Sequence, residues 1–134
     1  MADGAPTPTL KIGDVLEGRY RLDAILGEGG IGQVFEATQL ALGTRVAIKT
    51  LRPEHAAEEH LVKRFRREAK ALTELSHPHI VAVTDLGVAE GVPYLVMEKV
   101  EGLPLSKLLK REVLPPDRAL ALTRQILRAV AHAH

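Results

Sequence analysis

The sequence contains no cysteine, so neither a disulfide framework nor a thiolate metal site can be built from it. That absence suits a reducing cytoplasm, which is the expected location. No apolar run approaches the roughly 18–20 residues of a membrane span, and the first residues lack the apolar core of a secretion signal. Aromatic residues make up only 3%, too few for the stacking platforms that hold single-stranded nucleic acid. A net charge of +1 over 134 residues gives no whole-chain attraction to nucleic acid or to anionic membranes. No nucleic-acid partner is therefore expected. What remains is the composition of an ordinary globular protein, 46% hydrophobic and 26% charged, with one domain's worth of chain and enough of it to bury a core.

The most informative stretch runs from Leu26 to Lys49. It opens Leu26-Gly27-Glu28-Gly29-Gly30-Ile31-Gly32-Gln33-Val34 and closes Val46-Ala47-Ile48-Lys49. Gly27, Gly29 and Gly32 form G-x-G-x-x-G, a pattern whose missing Cβ atoms let backbone N–H groups approach a phosphate. By itself that pattern is weak, because dinucleotide-binding units share it. In those units the glycines open a helix. Here they run into Gln33-Val-Phe-Glu-Ala-Thr38, which is strand-like, so they sit at the tip of a hairpin. No Gly-Lys-Ser/Thr follows, which excludes a P-loop. In the strand from Arg45 to Leu51 a period of two places Ala47 and Lys49 on one face, with Val46 and Ile48 on the other. Alanine leaves room for a flat group against the sheet, and Lys49 supplies a positive charge at its end.

Before this stretch, residues 1–14 are rich in Pro, Thr, Ala and Gly and read as a mobile leader. Tyr20 to Leu26 reads as the first strand. After Pro53 a helix is expected over about 54–76, with Leu61, Phe65, Leu72 and Leu75 forming its inward stripe. Glu68 falls within that stripe, and an inward carboxylate needs a partner. The expected partner is Lys49; Arg64, one turn earlier, is the alternative. Lys63, Arg64, Arg66, Arg67 and Lys70 give the opposite side a basic face, either solvated or a docking surface. His77-Pro78-His79 ends the helix, Ile80–Leu86 reads as a fourth strand, and a hairpin turn at 89–92 leads into a fifth, 93–100. The histidine pairs 77/79 and 132/134 lack further ligands and are read as non-ligands, so no metal site is expected. A short helix over Leu105–Arg111 and a last helix from Pro115-Pro116-Asp117 to His134 complete the chain. The last helix is apolar on more than one side, as in a helix buried within a larger body.

Taken together these motifs resemble the N-terminal lobe of a protein kinase, and most of all the bacterial serine/threonine kinases of eukaryotic type. The residues that carry the resemblance are Gly27-x-Gly29-x-x-Gly32-x-Val34, Val46-Ala-Ile-Lys49, Arg67-Glu68-Ala69, His77-Pro-His-Ile-Val81 and Tyr94-Leu-Val-Met-Glu98. They occur in the family's order over about residues 18–134. The fold it implies is α+β: a five-stranded antiparallel sheet with one long helix over 15–100, then the first two helices of a helical lobe over 101–134. It implies ATP with Mg²⁺ as cofactors. Gly27, Glu28, Gly29, Gly30, Ile31, Gly32 and Gln33 would cover the phosphates. Lys49 would hold the α- and β-phosphates while pairing with Glu68. Leu26, Val34 and Ala47 would pack on the adenine, Met97 would stand behind it, and Glu98 and Val100 would present hinge backbone to its edge. Leu72 and Val83 would belong to a packed column tying the helix to the active arrangement.

One departure counts against activity of this stretch alone. It contains neither H-R-D-x-x-x-x-N nor D-F-G, so the aspartate that accepts the substrate proton and the residues that hold Mg²⁺ are missing. The sequence therefore reads as the ATP-binding part of an enzyme that phosphorylates protein Ser/Thr hydroxyls, cut before its catalytic loop and inactive in isolation. Two alternatives remain. One is a short nucleotide-binding regulatory module acting on a full-length kinase, including by pairing of two N-lobes. The other is a structural protein that kept the sheet and lost its ligand.

Overall fold

The computed structural model describes residues 10–30 and 32–134. Residues 1–9 of the expected leader, and Ile31 of the glycine stretch, lie outside the described residues. The chain forms two compact units. The first runs to Glu74 and resumes over Ala82–Lys99; the second comprises Leu75–Val81 and Val100–His134.

The first unit is built on an antiparallel sheet, β1 (Val15–Leu16), β2 (Tyr20–Gly29), β3 (Gly32–Gln39), β4 (Thr44–Leu51), β5 (Val83–Ala89) and β6 (Val92–Glu98), in the order β1-β2-β3-β4-β6-β5. Strand alternation puts Phe35, Ala37, Val46, Ile48, Tyr94 and Val96 on one face. There they form the larger core with Leu16, Tyr20 and Leu22. On the other face, Leu51 and Leu95 meet Phe65 and Ala69 of helix α1 (Glu59–Thr73), with Val62, Val83, Leu86 and Met97 packed around them.

Several expectations are corrected. The described residues hold six strands, not five, because Leu16, 1% exposed, ties a two-residue strand to Tyr20. A segment that short shows no alternation to read. Residues 10–14 pack on the sheet: Leu10 is buried in the larger core and the Gly13 N–H donates to Leu22 O at 2.8 Å. The helix begins at Glu59 rather than near Glu54. Pro53–His55 form a 3₁₀ turn, Ala56 is drawn into the larger core, and Glu58 is extended before α1 starts. Its inward stripe is Val62, Phe65 and Ala69. Leu72 is 39% exposed and stands outside the cluster that Val83 joins. The fourth expected strand starts at Val83, because residues 77–80 form a turn closed by Ile80 N–H to His77 O at 3.1 Å.

Two turns show why particular residues are where they are. Glu90 and Gly91 both have positive φ, 50° and 80°, the backbone of a two-residue turn whose twist matches the flanking strands β5 and β6. The glycine hairpin turns through Gly30, whose φ is +55°.

At the sheet edge, β5 is capped by carboxylates of its own unit. The Val88 N–H donates to Glu17 Oε1 at 3.3 Å and the Leu86 N–H to Asp85 Oδ1 at 2.9 Å, which occupies donors that would otherwise template another strand. Both carboxylates belong to a network missed in the sequence. The Tyr94 hydroxyl donates to Glu17 (2.6 Å), the Tyr20 hydroxyl donates to Asp85 (2.7 Å), and Arg19 bridges Asp85 (2.6 Å) and Tyr94 (3.3 Å). Burial and the bond to Glu17 push the Tyr94 phenol well above its ordinary value; burial and Asp85 raise Tyr20 in the same direction. A phenol whose folded value is raised contributes stability below about pH 10 that is lost as pH rises further. Urea midpoints are thus expected to fall between about pH 9 and 11.5, and Tyr94→Phe to flatten that fall while costing about 1 kcal/mol at neutral pH. An unchanged alkaline slope in the variant would contradict this assignment.

In the second unit α2 covers Leu105–Arg111 and α3 covers Pro116–Ala133. Pro116 and Asp117 occupy the first turn of α3, where a missing N–H and a negative charge are both favourable. Leu120, Ile126, Leu127 and Val130 of α3 are all about half exposed. Among the described residues no helix is long and apolar enough to cross a membrane.

Candidate functional site

Three strands position the candidate site. In register, Val34 of β3 lies opposite Lys49 of β4, and Lys49 opposite Leu95 of β6; Glu36, Ala47 and Met97 form the next such row. Ala47 and Lys49 therefore share a face with Val34 and Met97, the face that also receives α1. Ala47 is buried, Met97 half-buried and Lys49 exposed. Among the described residues Lys49 has no ion-pair partner. On the same face Glu36 is neutralised by Arg45 at 3.2 Å.

Beta-strands β2 and β3 close over this face as the glycine hairpin, in register from Gly27–Val34 to Gly29–Gly32. One cross-strand pair staples it: Gln33, 9% exposed, donates from Nε2 to Glu28 Oε1 at 2.9 Å. The glycines differ in what the fold asks of them. Gly30 is required by its backbone. A Cβ on Gly32 would stand 3.2 Å from Lys49 Cε, so the lysine stem lies directly against this residue. Gly27 and Gly29 have ordinary φ, and a Cβ on either would meet nothing within 4 Å. Nothing in the fold demands glycine at these two positions.

The expected Lys49–Glu68 pair is not formed. Glu68 accepts instead from Arg64 Nε at 3.1 Å, and its side chain is 64% exposed. The reason is the rotation of α1, which buries Val62, Phe65 and Ala69 and turns Glu68 to solvent beside the residue one turn before it. Of the remaining expected residues, Leu26 is 46% and Val100 56% exposed. The Glu98 N–H donates to Ala82 O at 3.0 Å, and Val100 falls in the second unit. A separate apolar cavity of about 300 Å³, lined by Phe65, Ala69, Leu86 and Tyr94 among others, contains none of the expected site residues. No group of three or more His, Asp or Glu among the described residues is arranged to hold a metal ion.

The family model for the protein kinase domain matches residues 20–134. The chain belongs to the protein kinase family. It is 41% identical over 124 residues to the serine/threonine-protein kinase PrkC of Bacillus subtilis, covering 92% of this chain and 19% of that protein. To the serine/threonine-protein kinase PknA of Mycobacterium tuberculosis it is 43% identical over 130 residues, covering 92% of this chain and 30% of that one. The crystal structure of the Mycobacterium tuberculosis PknI kinase domain superposes with a TM-score of 0.75 at 29% identity, over 94% of this chain and 52% of that chain. The chain thus spans less than a third of these curated relatives and about half of a solved kinase domain. The kinase α+β architecture is the one expected from the sequence.

Proposed function

We propose that this stretch is the nucleotide-holding part of a serine/threonine protein kinase, binding ATP and positioning it for transfer of the γ-phosphate to a protein hydroxyl. The observation that carries the reading is the pair of glycines, Gly27 and Gly29, at neither of which a Cβ would meet anything within 4 Å, with Lys49 lying against Gly32 beside them. Backbone N–H groups of the hairpin would approach the phosphates, and the Lys49 ammonium would offset their charge. Val34, buried Ala47 and Met97 would offer apolar surface to the base. Mg²⁺, for which no ligand group is found among the described residues, would supply charge neutralisation at the phosphates in the complete enzyme.

Glu68 fits the same reading as a positioning residue for Lys49. Its present bond to Arg64 is an exposed i,i+4 pair worth only about 0.3–0.5 kcal/mol, so little is lost when Glu68 turns from Arg64 to the Lys49 ammonium. With no H-R-D or D-F-G among its residues, the stretch binds without transferring phosphate. Calorimetric titration with MgATP tests this. Measurable binding is expected in the natural chain, weakened about tenfold or more in Lys49→Met, or ~1.4 kcal/mol. Equal affinity in a folded Lys49→Met chain would sink the proposal.

A further inference from the structure

The second unit gathers three histidines that the kinase reading does not use. The ring of His77 lies 5.1 Å from that of His132 on α3, tilted by 37°, and 5.4 Å from that of His79. The His79 N–H donates to His77 Nδ1 at 3.1 Å. An Nδ1 that accepts carries no proton, so this bond exists only while His77 is neutral. The groups acting on His77 beyond burial are His132, His79 and Arg128, one turn before His132 on the same helix. Among the described residues no carboxylate is one of the groups acting on the ring.

We propose that His77 and His132 form a pH-sensitive latch, holding the 75–81 segment against the last turns of α3 near neutral pH and releasing it on acidification. Protonation of His77 sets N–H against N–H at the His79 bond and brings like charges about 5 Å apart. The segment is also the connection between α1 and β5. Releasing it frees the tether on which α1 ends. Partial desolvation and the three cationic neighbours hold His77 below the ordinary histidine value. The released segment therefore takes the proton more readily than the latched one. By that sign the latch is complete above about pH 6.5 and is lost as pH falls below it.

Histidine-ring and amide NMR on the 134-residue chain, from about pH 7.5 to 5.5, tests this directly. The His77 ring is expected to titrate below about 6.5. Protection of the His79 amide, corrected for intrinsic exchange, should fall about tenfold or more with the same midpoint. His132→Phe keeps a ring in place without its charge, so the fall in His79 protection should persist, because it follows the proton on His77, with its midpoint moved up in pH. A flat wild-type profile, or an unmoved midpoint in His132→Phe, overturns the latch. Should His132→Phe be open at both pH values, the wild-type chain in about 0.5 M salt decides. Screened repulsion moves the midpoint up, and an unmoved midpoint refutes the proposal.

Discussion

Phe35→Ala is expected to lower the unfolding free energy by about 3–5 kcal/mol, the cost of a large apolar side chain plus the cavity it leaves. Phe35 has no exposed surface and sits in the centre of the larger core. It stands opposite Ile48 on one side and Ile25 on the other, so the backbone of three strands surrounds the void and cannot collapse into it. A loss of that size is a large share of the whole stability of a small domain. Chemical denaturation measures it, with Leu127→Ala as the control. Leu127 is 60% exposed, and its truncation should change stability by no more than about 0.5 kcal/mol. A Phe35→Ala cost below about 1 kcal/mol would mean that this face of the sheet is not the core described. The site would be affected too, since Val34 and Phe35 are consecutive and the core side of β3 sets the height of the glycine hairpin on the other.

Gly87→Ala is expected to cost about 2–3 kcal/mol through overpacking, although Gly87 has no positive φ to explain its identity. Gly87 lies opposite Tyr94 across β5 and β6. A Cβ there would overlap the end of the Tyr94 ring and the Glu17 carboxylate. The carboxylate can swing aside, but the ring cannot. Tyr94 is 1% exposed, and its hydroxyl is held by both Glu17 and Arg19. A double-mutant cycle separates this from a simple loss of strand geometry. Tyr94→Phe removes the hydroxyl that the new methyl meets, so Gly87→Ala should cost less in that background by about 0.5 kcal/mol or more. Strict additivity would place the strain elsewhere.

The same residue shows what could and could not be seen in advance. A glycine inside a strand signals a close approach, but its partner is seven residues on, and only the β5–β6 register brings them together. The Glu17–Arg19–Tyr20–Asp85–Tyr94 network was illegible for the same reason. Its members lie up to 77 residues apart, and each alone reads as an ordinary surface charge or strand aromatic. Around the glycine hairpin more was legible, because spacing of two along a strand determines which side chains share a face. That put Ala47 and Lys49 together, and the observed register keeps them so. For the glycines the motif pointed to three positions. For Gly30, already among the expected residues through the family resemblance, the structure supplies a reason of its own, a positive φ that the turn requires.

Helix α1 marks where local pattern stopped being sufficient. The stripe expected to face inward is Leu61–Phe65–Leu72–Leu75, whereas the buried one is Val62–Phe65–Ala69, turned a fraction of a turn round the helix about the shared Phe65. Which is buried depends on the shape of the sheet beneath, where Leu51 and Leu95 accept the small Ala69 at close range. That choice alone turns Glu68 from Lys49 to Arg64. The sequence by itself determined the strand order of its hairpins, the face that Lys49 shares with Ala47, and the family, since each follows from short-range spacing. The rotation of α1, the two-residue strand at Leu16 and the packing of Tyr94 over Gly87 were decided by tertiary structure. Each depends on which distant surfaces fit, and the few kcal/mol that separate the alternatives reside in those contacts.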